Sequence, residues 1–479
     1  MPDSRLTARA LDAMLGGWRV REPAYEALAD AIRLLCLDNR IAPGTALPAE
    51  RALAQRLALS RTTVASAYRS LRASGHIESA RGSGSVTLPL GHRDLGRISA
   101  PGGAIDLQQA SPAAWPGLAA LFAEVAETAP SLVARSGYDV VGRPGLREAI
   151  AARYTARGLP TEPDQIMVTT GAQSAIALVA SQLVSRGDRA LIETPTYPHA
   201  ADAFSRAGAR LVGVPVAVGA GWDLERAAQV LNRAAPSAGY LMPDFHNPTG
   251  ESMDGETRIR LAELARAAGT VIVADETTAE LAIDGAPGSV PFAAVAPEDD
   301  DAVITLGSLG KTVWGGLRIG WIRASVDMIR RLAALRPAGD LGTPEFEQSV
   351  AERAMAHMPE ILAQRSRVLA AGRDALTARI RDLIPEWSVP VAPGGVALWI
   401  GLGSPRSSAL VLAARRRGLL LSAGPRFAID GGSERHLRVP ITAPAADLVR
   451  AAEILADAWA EVAAAGAARP AEQPVDAVV

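Results

Sequence analysis

Residues 23–39, PAYEALADAIRLLCLDN, carry Tyr25, Leu28, Ala29, Ile32, Leu35 and Cys36 at three-and-four spacing, which gathers them on one helical face. Pro23 suits a first helical turn. A Pro/Gly break, APGTALP (42–48), separates this helix from a short one over 49–60 with Leu53 and Leu57 on one side. Ser60 precedes RTTVASAYRSLRAS, where its hydroxyl can accept a backbone N–H and start a third helix. There Val64, Ala67, Tyr68 and Leu71 form the buried stripe, leaving Arg61, Thr62, Ser66 and Arg69 outward. HIESARGSGSVT (76–87) reads as two short extended pieces around RGSG. The two short helices, with a tight turn before a helix opening Arg-Thr-Thr, fit a helix-turn-helix, and the extended pair fits a β-wing.

LPLGHRDLGRISAPGGA (88–104) has no period and is rich in Gly, Pro and Arg, as an interdomain linker is. From about Ile105 helical segments alternate with short apolar strands: 165–170, 189–194, 210–216, 238–243, 270–276 and 302–308. That alternation predicts an α/β domain with a largely parallel sheet, whose strand ends are where ligand groups collect. The resulting division is a head over 1–87, a linker over 88–104, a body over 105–465 and an Ala/Pro-rich disordered tail over 466–479.

The chain has 479 residues, and its apolar fraction of 48% rules out disorder of the whole. No apolar run approaches the ~18 residues of a membrane helix. No secretory signal is visible at the start, so a soluble, cytoplasmic protein without membrane contact is expected. One cysteine, Cys36, allows no intrachain disulfide and offers no metal site. Net charge is −2, but residues 1–90 hold 12 Arg against 8 acidic groups, a small basic head on an acidic body. That asymmetry points to an anionic partner for the head alone. Of the 49 basic residues, 48 are arginine and one is lysine, Lys311, so lysine chemistry here has a single candidate.

Four strand ends carry unusual sequences. Gly171-Ala172-Gln173 lies between a strand and a helix, where backbone N–H groups can receive a phosphate. Tyr197 stands between two prolines in TPTYPHA, rigidly presented for stacking. FHNPTG (245–250) offers the Asn247 amide, and VIVADE ends an apolar strand on Asp275, which wants a cationic partner. Each also fits a plainer role: a strand-to-helix turn, a packing tyrosine, turn chemistry, a helix cap. The fifth segment, ITLGSLGKTVWGGLRIGW (304–321), holds Lys311 with Ser308 three before it and Arg318 seven after, among four glycines. Its plainer reading is a surface lysine in a glycine loop.

In chemical terms, together they assemble a site for pyridoxal 5′-phosphate (PLP). Lys311 would form a Schiff base with its aldehyde, and Asp275 would pair with the pyridinium nitrogen. Tyr197 would stack on the ring, and Asn247 would hydrogen-bond the phenolic oxygen. The Ala172 and Gln173 backbone, with Ser308 and Arg318, would hold the phosphate. In HLRVPIT (436–442), Arg438 sits in an apolar strand and needs an anion: a substrate α-carboxylate, or an internal salt bridge.

Two resemblances follow from these residues. PGTALPAERALAQRLALSRTTVASAYRSLRASGHIESARGSGS resembles the winged helix-turn-helix of the GntR superfamily. This implies phosphate or base contact by Arg51, Ser60, Arg61, Thr62 and Thr63, and by Arg81 and Gly82 on the wing. The body motifs, with YDVVGRPGLREAIAARY (138–154), resemble fold-type I aminotransferases of class I/II, with a mainly parallel central sheet and a smaller C-terminal subdomain. In that fold the tyrosine matching Tyr138 reaches the phosphate of the neighbouring subunit, which implies a homodimer. The combination resembles MocR-type regulators, in which an aminotransferase-like body replaces the ordinary effector domain.

The resemblance implies a regulator that binds operator DNA and senses PLP itself, an amine or an amino acid, with slow half-transamination as a side reaction. Two departures bear on catalysis. Thr277 stands where relatives commonly carry a tyrosine, and Gly310 precedes the lysine where they commonly carry a serine. The competing readings are an aminotransferase with an accessory DNA-binding head and a cofactor-free, constitutive DNA binder.

Overall fold

The computed structural model describes residues 4–16, 18–19, 23–38, 40–80, 84–88, 103–134, 136–285, 290–295, 302–429 and 432–467. The wing residues Arg81 and Gly82, linker positions 89–102 and tail positions 468–479 lie outside the described residues.

In the head, the apolar stripes of α1 (Ala8–Leu15), α2 (Ala24–Leu37), α3 (Glu50–Arg56) and α4 (Arg61–Ala73) meet around Leu11, Leu28, Ile32, Leu53, Val64, Tyr68 and Leu71. α3 ends earlier than its spacing predicts, because Ala58 takes a left-handed conformation (φ 52°) that a helix cannot continue. The turn therefore falls just before Ser60, whose hydroxyl accepts the Thr63 N–H at 3.0 Å and caps α4. Tyr68 donates to the Pro48 carbonyl at 2.8 Å, tying α4 to the turn before α3. The strands β1 (Ser4–Arg5), β2 (Thr45–Ala46), β3 (Ile77–Ala80) and β4 (Gly84–Thr87) form one sheet in the order β1-β2-β4-β3. β3 and β4 are the antiparallel pair expected of a wing. Helix α1 and the two-residue strands escape the pattern reading, since so short a segment carries no usable period.

β5 (Ile105–Asp106) opens the body. The main sheet of the body contains β6 (Ile166–Thr169), β7 (Arg189–Thr194), β8 (Arg210–Ala217), β9 (Gly221–Trp222), β10 (Ala238–Leu241), β11 (Val271–Asp275), β12 (Val303–Ser308) and β13 (Gly320–Arg323). The order is β6-β13-β12-β11-β10-β7-β8-β9, with β12, β11, β10, β7 and β8 parallel. Helices cover both faces, which is why these strands read as continuous apolar runs rather than alternating ones. Like the two-residue β9, β13, antiparallel to both neighbours, is missed by the sequence pattern. It is four residues long and opens on glycine.

A smaller subdomain places β14 (Ala397–Gly401) antiparallel to β16 (His436–Pro440), while β15 (Leu419–Leu420) pairs with β5. Helices Met358–Leu383 and Ala445–Ala467 pack over a core that includes Leu369, Leu398, Leu437 and Leu455. The last helix extends two residues past 465, consistent with the helix propensity of its alanine run. The head rests on this subdomain: α2 packs on the helix Ser407–Arg416, and Leu34 joins the subdomain core. Asp38 and Arg40 face Ala423, Pro425 and Arg426 across a small cavity. Among the described residues no helix is long and apolar enough to cross a membrane.

Candidate functional site

The parallel strands end on one side of the sheet, and there a cleft of about 680 Å³ opens between the sheet and the C-terminal subdomain. Ala172, Gln173, Tyr197, Asn247, Asp275, Ser308, Lys311, Arg318 and Arg438 all line it. Topology explains the convergence. Asp275 ends β11, Lys311 follows β12 and Tyr197 follows β7 as the residue before helix Pro198–Ala207. Asn247 follows β10, and Arg438 reaches in from β16.

Lys311 Nζ donates to the Ala110 carbonyl at 2.6 Å. Burial, with Arg438 adding to it, lowers its pKa from 10.5 to about 8. Asp275 is fully buried, its Oδ2 accepting the Tyr240 hydroxyl at 2.6 Å and its Oδ1 the Thr277 N–H at 3.0 Å. Burial raises its pKa, and these donors oppose the rise. Burial, and then Asp275, push the Tyr197 phenol up to about 12, so it stays protonated.

Arg438 is 7% exposed, and its guanidinium lies over the Phe427 ring at 5.1 Å. Its Nε has no hydrogen-bond partner among the described residues, and burial lowers its pKa from the ordinary guanidinium value to about 10. The internal salt bridge that a strand arginine could make is not present among the described residues. Asn247 Oδ1 and Gln173 Oε1 are likewise buried without partners.

Arg318 takes a left-handed conformation (φ 54°) and donates to the Thr170 carbonyl at 3.0 Å. It lies so close to Gly171 that a Cβ there would meet its guanidinium at 2.6 Å. Gly171, itself at φ 83°, precedes helix Ala172–Leu183 without a side-chain cap, leaving the first N–H groups of the helix open. Ser308 is committed to the backbone, donating to the Ile319 carbonyl and accepting the Gly310 N–H, each at 3.0 Å. Tyr138 does not line its own chain's cleft and is 71% exposed.

Sequence reasoning missed Gln108, Gln109 and Ser111, which line the cleft from a segment without a motif, and Trp314 at its edge. It also missed Arg426, which lines both this cleft and the cavity under the head. Arg426 donates to Asp202 at 2.9 Å, and its neighbour Phe427 carries Arg438 on its ring. The 3-10 turn Gly424–Phe427 thus has one residue in common to both spaces.

On the head, Arg51, Arg61, Thr62 and Arg69 are exposed, whereas Thr63 is half-buried. The Ser60 hydroxyl is occupied by its cap and by the hydroxyls of Thr62 and Thr63, both at 2.7 Å. Arg72 reaches Ser85 on the wing at 3.2 Å, a link between α4 and β4 that spacing did not show.

Residues 122–455 match the family described as aminotransferase class I and II, and residues 24–86 match the gntR family of bacterial regulatory proteins. The chain is 27% identical to the uncharacterized HTH-type transcriptional regulator YisV of Bacillus subtilis, over 79% of this chain and 84% of that protein. It is 32% identical to the probable rhizopine catabolism regulatory protein MocR of Rhizobium meliloti, over 63% of this chain and 65% of that one. Among solved structures it is similar to LysN, the α-aminoadipate aminotransferase of Thermus thermophilus, complexed with N-(5′-phosphopyridoxyl)-L-leucine. The identity is 27% and the TM-score 0.68, covering 77% of this chain and 97% of that one.

Proposed function

The chain belongs to the aminotransferase class I and II family and carries a gntR-family head, and from that premise we propose that it is a DNA-binding transcriptional regulator of the MocR type. Its cofactor is PLP, and its body senses an amine or amino acid. The observation that carries this reading is the position of the chain's one lysine, in a cleft with a buried carboxylate and a buried arginine unpaired among the described residues, in a chain whose head has exposed arginines on its helix-turn-helix.

The residues fit the cofactor. Buried polar atoms without partners, on Asn247, Gln173 and Arg438, all belong to residues lining the cleft, where a polar ligand would satisfy them. Lys311 would hold PLP covalently, and Asp275 would pair with its ring nitrogen. Tyr197 would lie against the ring, and Asn247 would hydrogen-bond the phenolic oxygen. The Ala172 and Gln173 backbone and Arg318 would hold the phosphate, joined by Ser308 once its hydroxyl turns from the Ile319 carbonyl. When bound, PLP supplies an aldehyde that captures primary amines and a ring that draws electrons.

Lys311 is prepared for that role: a pKa of about 8 in place of 10.5 gives roughly 300-fold more neutral amine near neutral pH. Arg438 selects ligands that carry a carboxylate, which its planar fork binds by two hydrogen bonds. The exposure of Tyr138 supports a homodimer in which it serves the partner's site. Two heads would then read repeated or palindromic half-sites. Arg426, shared by the ligand cleft and the cavity under the head, supports transmission from one to the other. Such a regulator would act in the cytoplasm. Thr277, which lines the cleft without a phenol to offer, favours sensing over efficient turnover.

The test is a visible absorption spectrum with added PLP, beside Lys311→Ala, together with selection of bound sequences from random duplex DNA. The expected result is a cofactor band that amino acids shift and the variant lacks, and an enriched sequence with repeated half-sites. No band in either protein overturns the sensor reading. Rapid turnover with a keto-acid acceptor and no selected DNA would instead identify an aminotransferase.

A further inference from the structure

We propose that Tyr240 is a positioning residue for the cofactor site, its phenol holding Asp275 in place and ionised so that the carboxylate presents charge to the cofactor's ring nitrogen. The inference rests on the PLP reading above and adds a residue outside the cleft. Sheet register produces the contact. β10 and β11 run parallel with Tyr240 opposite Val273, so Asp275, two residues further, projects from the same face of the sheet as Val273. Tyr240 is fully buried, its ring 6.2 Å from that of Phe204 on helix Pro198–Ala207. Its hydroxyl donates to Asp275 Oδ2 at 2.6 Å.

Asp275 needs the help. Among the described residues its hydrogen-bond partners are the Tyr240 hydroxyl and Thr277, one to each oxygen, and neither is a cation. Burial works against its charge, and so does Glu193 on β7. The other titratable groups facing it are Tyr197, from the loop after β7, and Lys311, from the segment after β12. Tyr240 itself remains protonated, because burial and Asp275 both disfavour its anion, so it acts only as a donor. Without this donor the carboxylate keeps a single partner and takes up a proton more readily. A neutral carboxyl can accept no pyridinium charge. Tyr240 touches neither ligand nor cofactor space and acts through Asp275 alone.

The experiment uses the full chain and its PLP dissociation constant, measured by visible absorbance between about pH 6 and about pH 9, for wild type and Tyr240→Phe. Loss of a hydrogen bond to a buried charge predicts roughly tenfold to a hundredfold weaker binding near neutral pH. The deficit shrinks as pH rises and Asp275 ionises, and the pH dependence of the bound cofactor's absorbance moves with it. Tyr240→Phe added to Asp275→Asn tests the route, and that pair folds without a buried charge to satisfy. If Tyr240 works through Asp275, the second substitution costs no further affinity. Equal constants and equal pH profiles for wild type and Tyr240→Phe overturn the proposal, as does an undiminished loss in the Asp275→Asn background. A wild-type chain that takes up no PLP overturns the functional reading instead.

Discussion

Replacing Arg438 by methionine should strengthen the ligand-free fold while removing recognition of carboxylates. The residue is 7% exposed, with Nε unpaired among the described residues. The fall in pKa from the ordinary guanidinium value to about 10 corresponds to about 3 kcal/mol against the charged form. The sign is that of a base whose folded pKa is depressed: the cost is present at all pH values below about 10 and disappears only above the unfolded value. Against this stands the contact with the Phe427 ring at 5.1 Å, about 2 kcal/mol if fully desolvated, part of which a methionine sulfur retains. The balance is a gain of about 1–2 kcal/mol, which for a body of this size raises the melting temperature by roughly 1–3 °C. Thermal melting of the cofactor-free protein measures it. Titrating the PLP-loaded protein with amino acids, and with the matching amines that lack the carboxylate, gives the second readout. Amino acids should bind roughly tenfold to a hundredfold more weakly to the variant and the amines about equally. A destabilised variant, or equal losses for both ligand sets, would refute the assignment of Arg438 as an unpaired carboxylate receptor.

Arg61→Ala should weaken duplex binding and reduce the slope of log affinity against log salt by about one; an unchanged slope would remove Arg61 from the contact surface. Arg426→Ala should separate the two ends of the molecule, so that DNA affinity no longer follows an amino acid that shifts the cofactor band. Retained coupling in a gel-shift titration would count against the turn Gly424–Phe427 as the link. Burial lifts the Glu276 carboxyl from 4.5 to about 7 even though Arg157 lies 3.3 Å away. The folded body therefore binds more protons than the unfolded chain between those values, and its stability falls as pH rises through that window. Glu276→Gln should flatten this dependence, read from urea midpoints at about pH 5 and about pH 7, and an unaltered slope would assign it to other groups.

How much was legible depended on how local the cause was. The stripe of α4, its Ser60 cap and the wing strands could be read because three-and-four spacing, a hydroxyl before a helix and glycines between extended pieces act within a few residues. The same holds for the apolar central strands and for the short motifs that end them. One expectation needed the structure to qualify it. Ser308 donates its hydroxyl to the Ile319 carbonyl, so it is not a free donor in this conformation, whereas Ser60 caps α4 as its place before the helix predicts.

By itself, then, the sequence determined the types of the longer elements, the division between a basic head and an α/β body, and the residue kinds able to hold PLP, including the single lysine. What only tertiary structure decided were partnerships across long separations: Lys311 against the Ala110 carbonyl, Tyr240 against Asp275, Arg438 over Phe427, and Arg426 between the cleft and the head. The physical reason is that periodicity records which face of an element is buried, whereas a hydrogen bond between strands depends on sheet order and register. Those are set by the packing of the whole body. Antiparallel β13 shows this most plainly, since four residues with no period of their own are made a strand by the two edges they join.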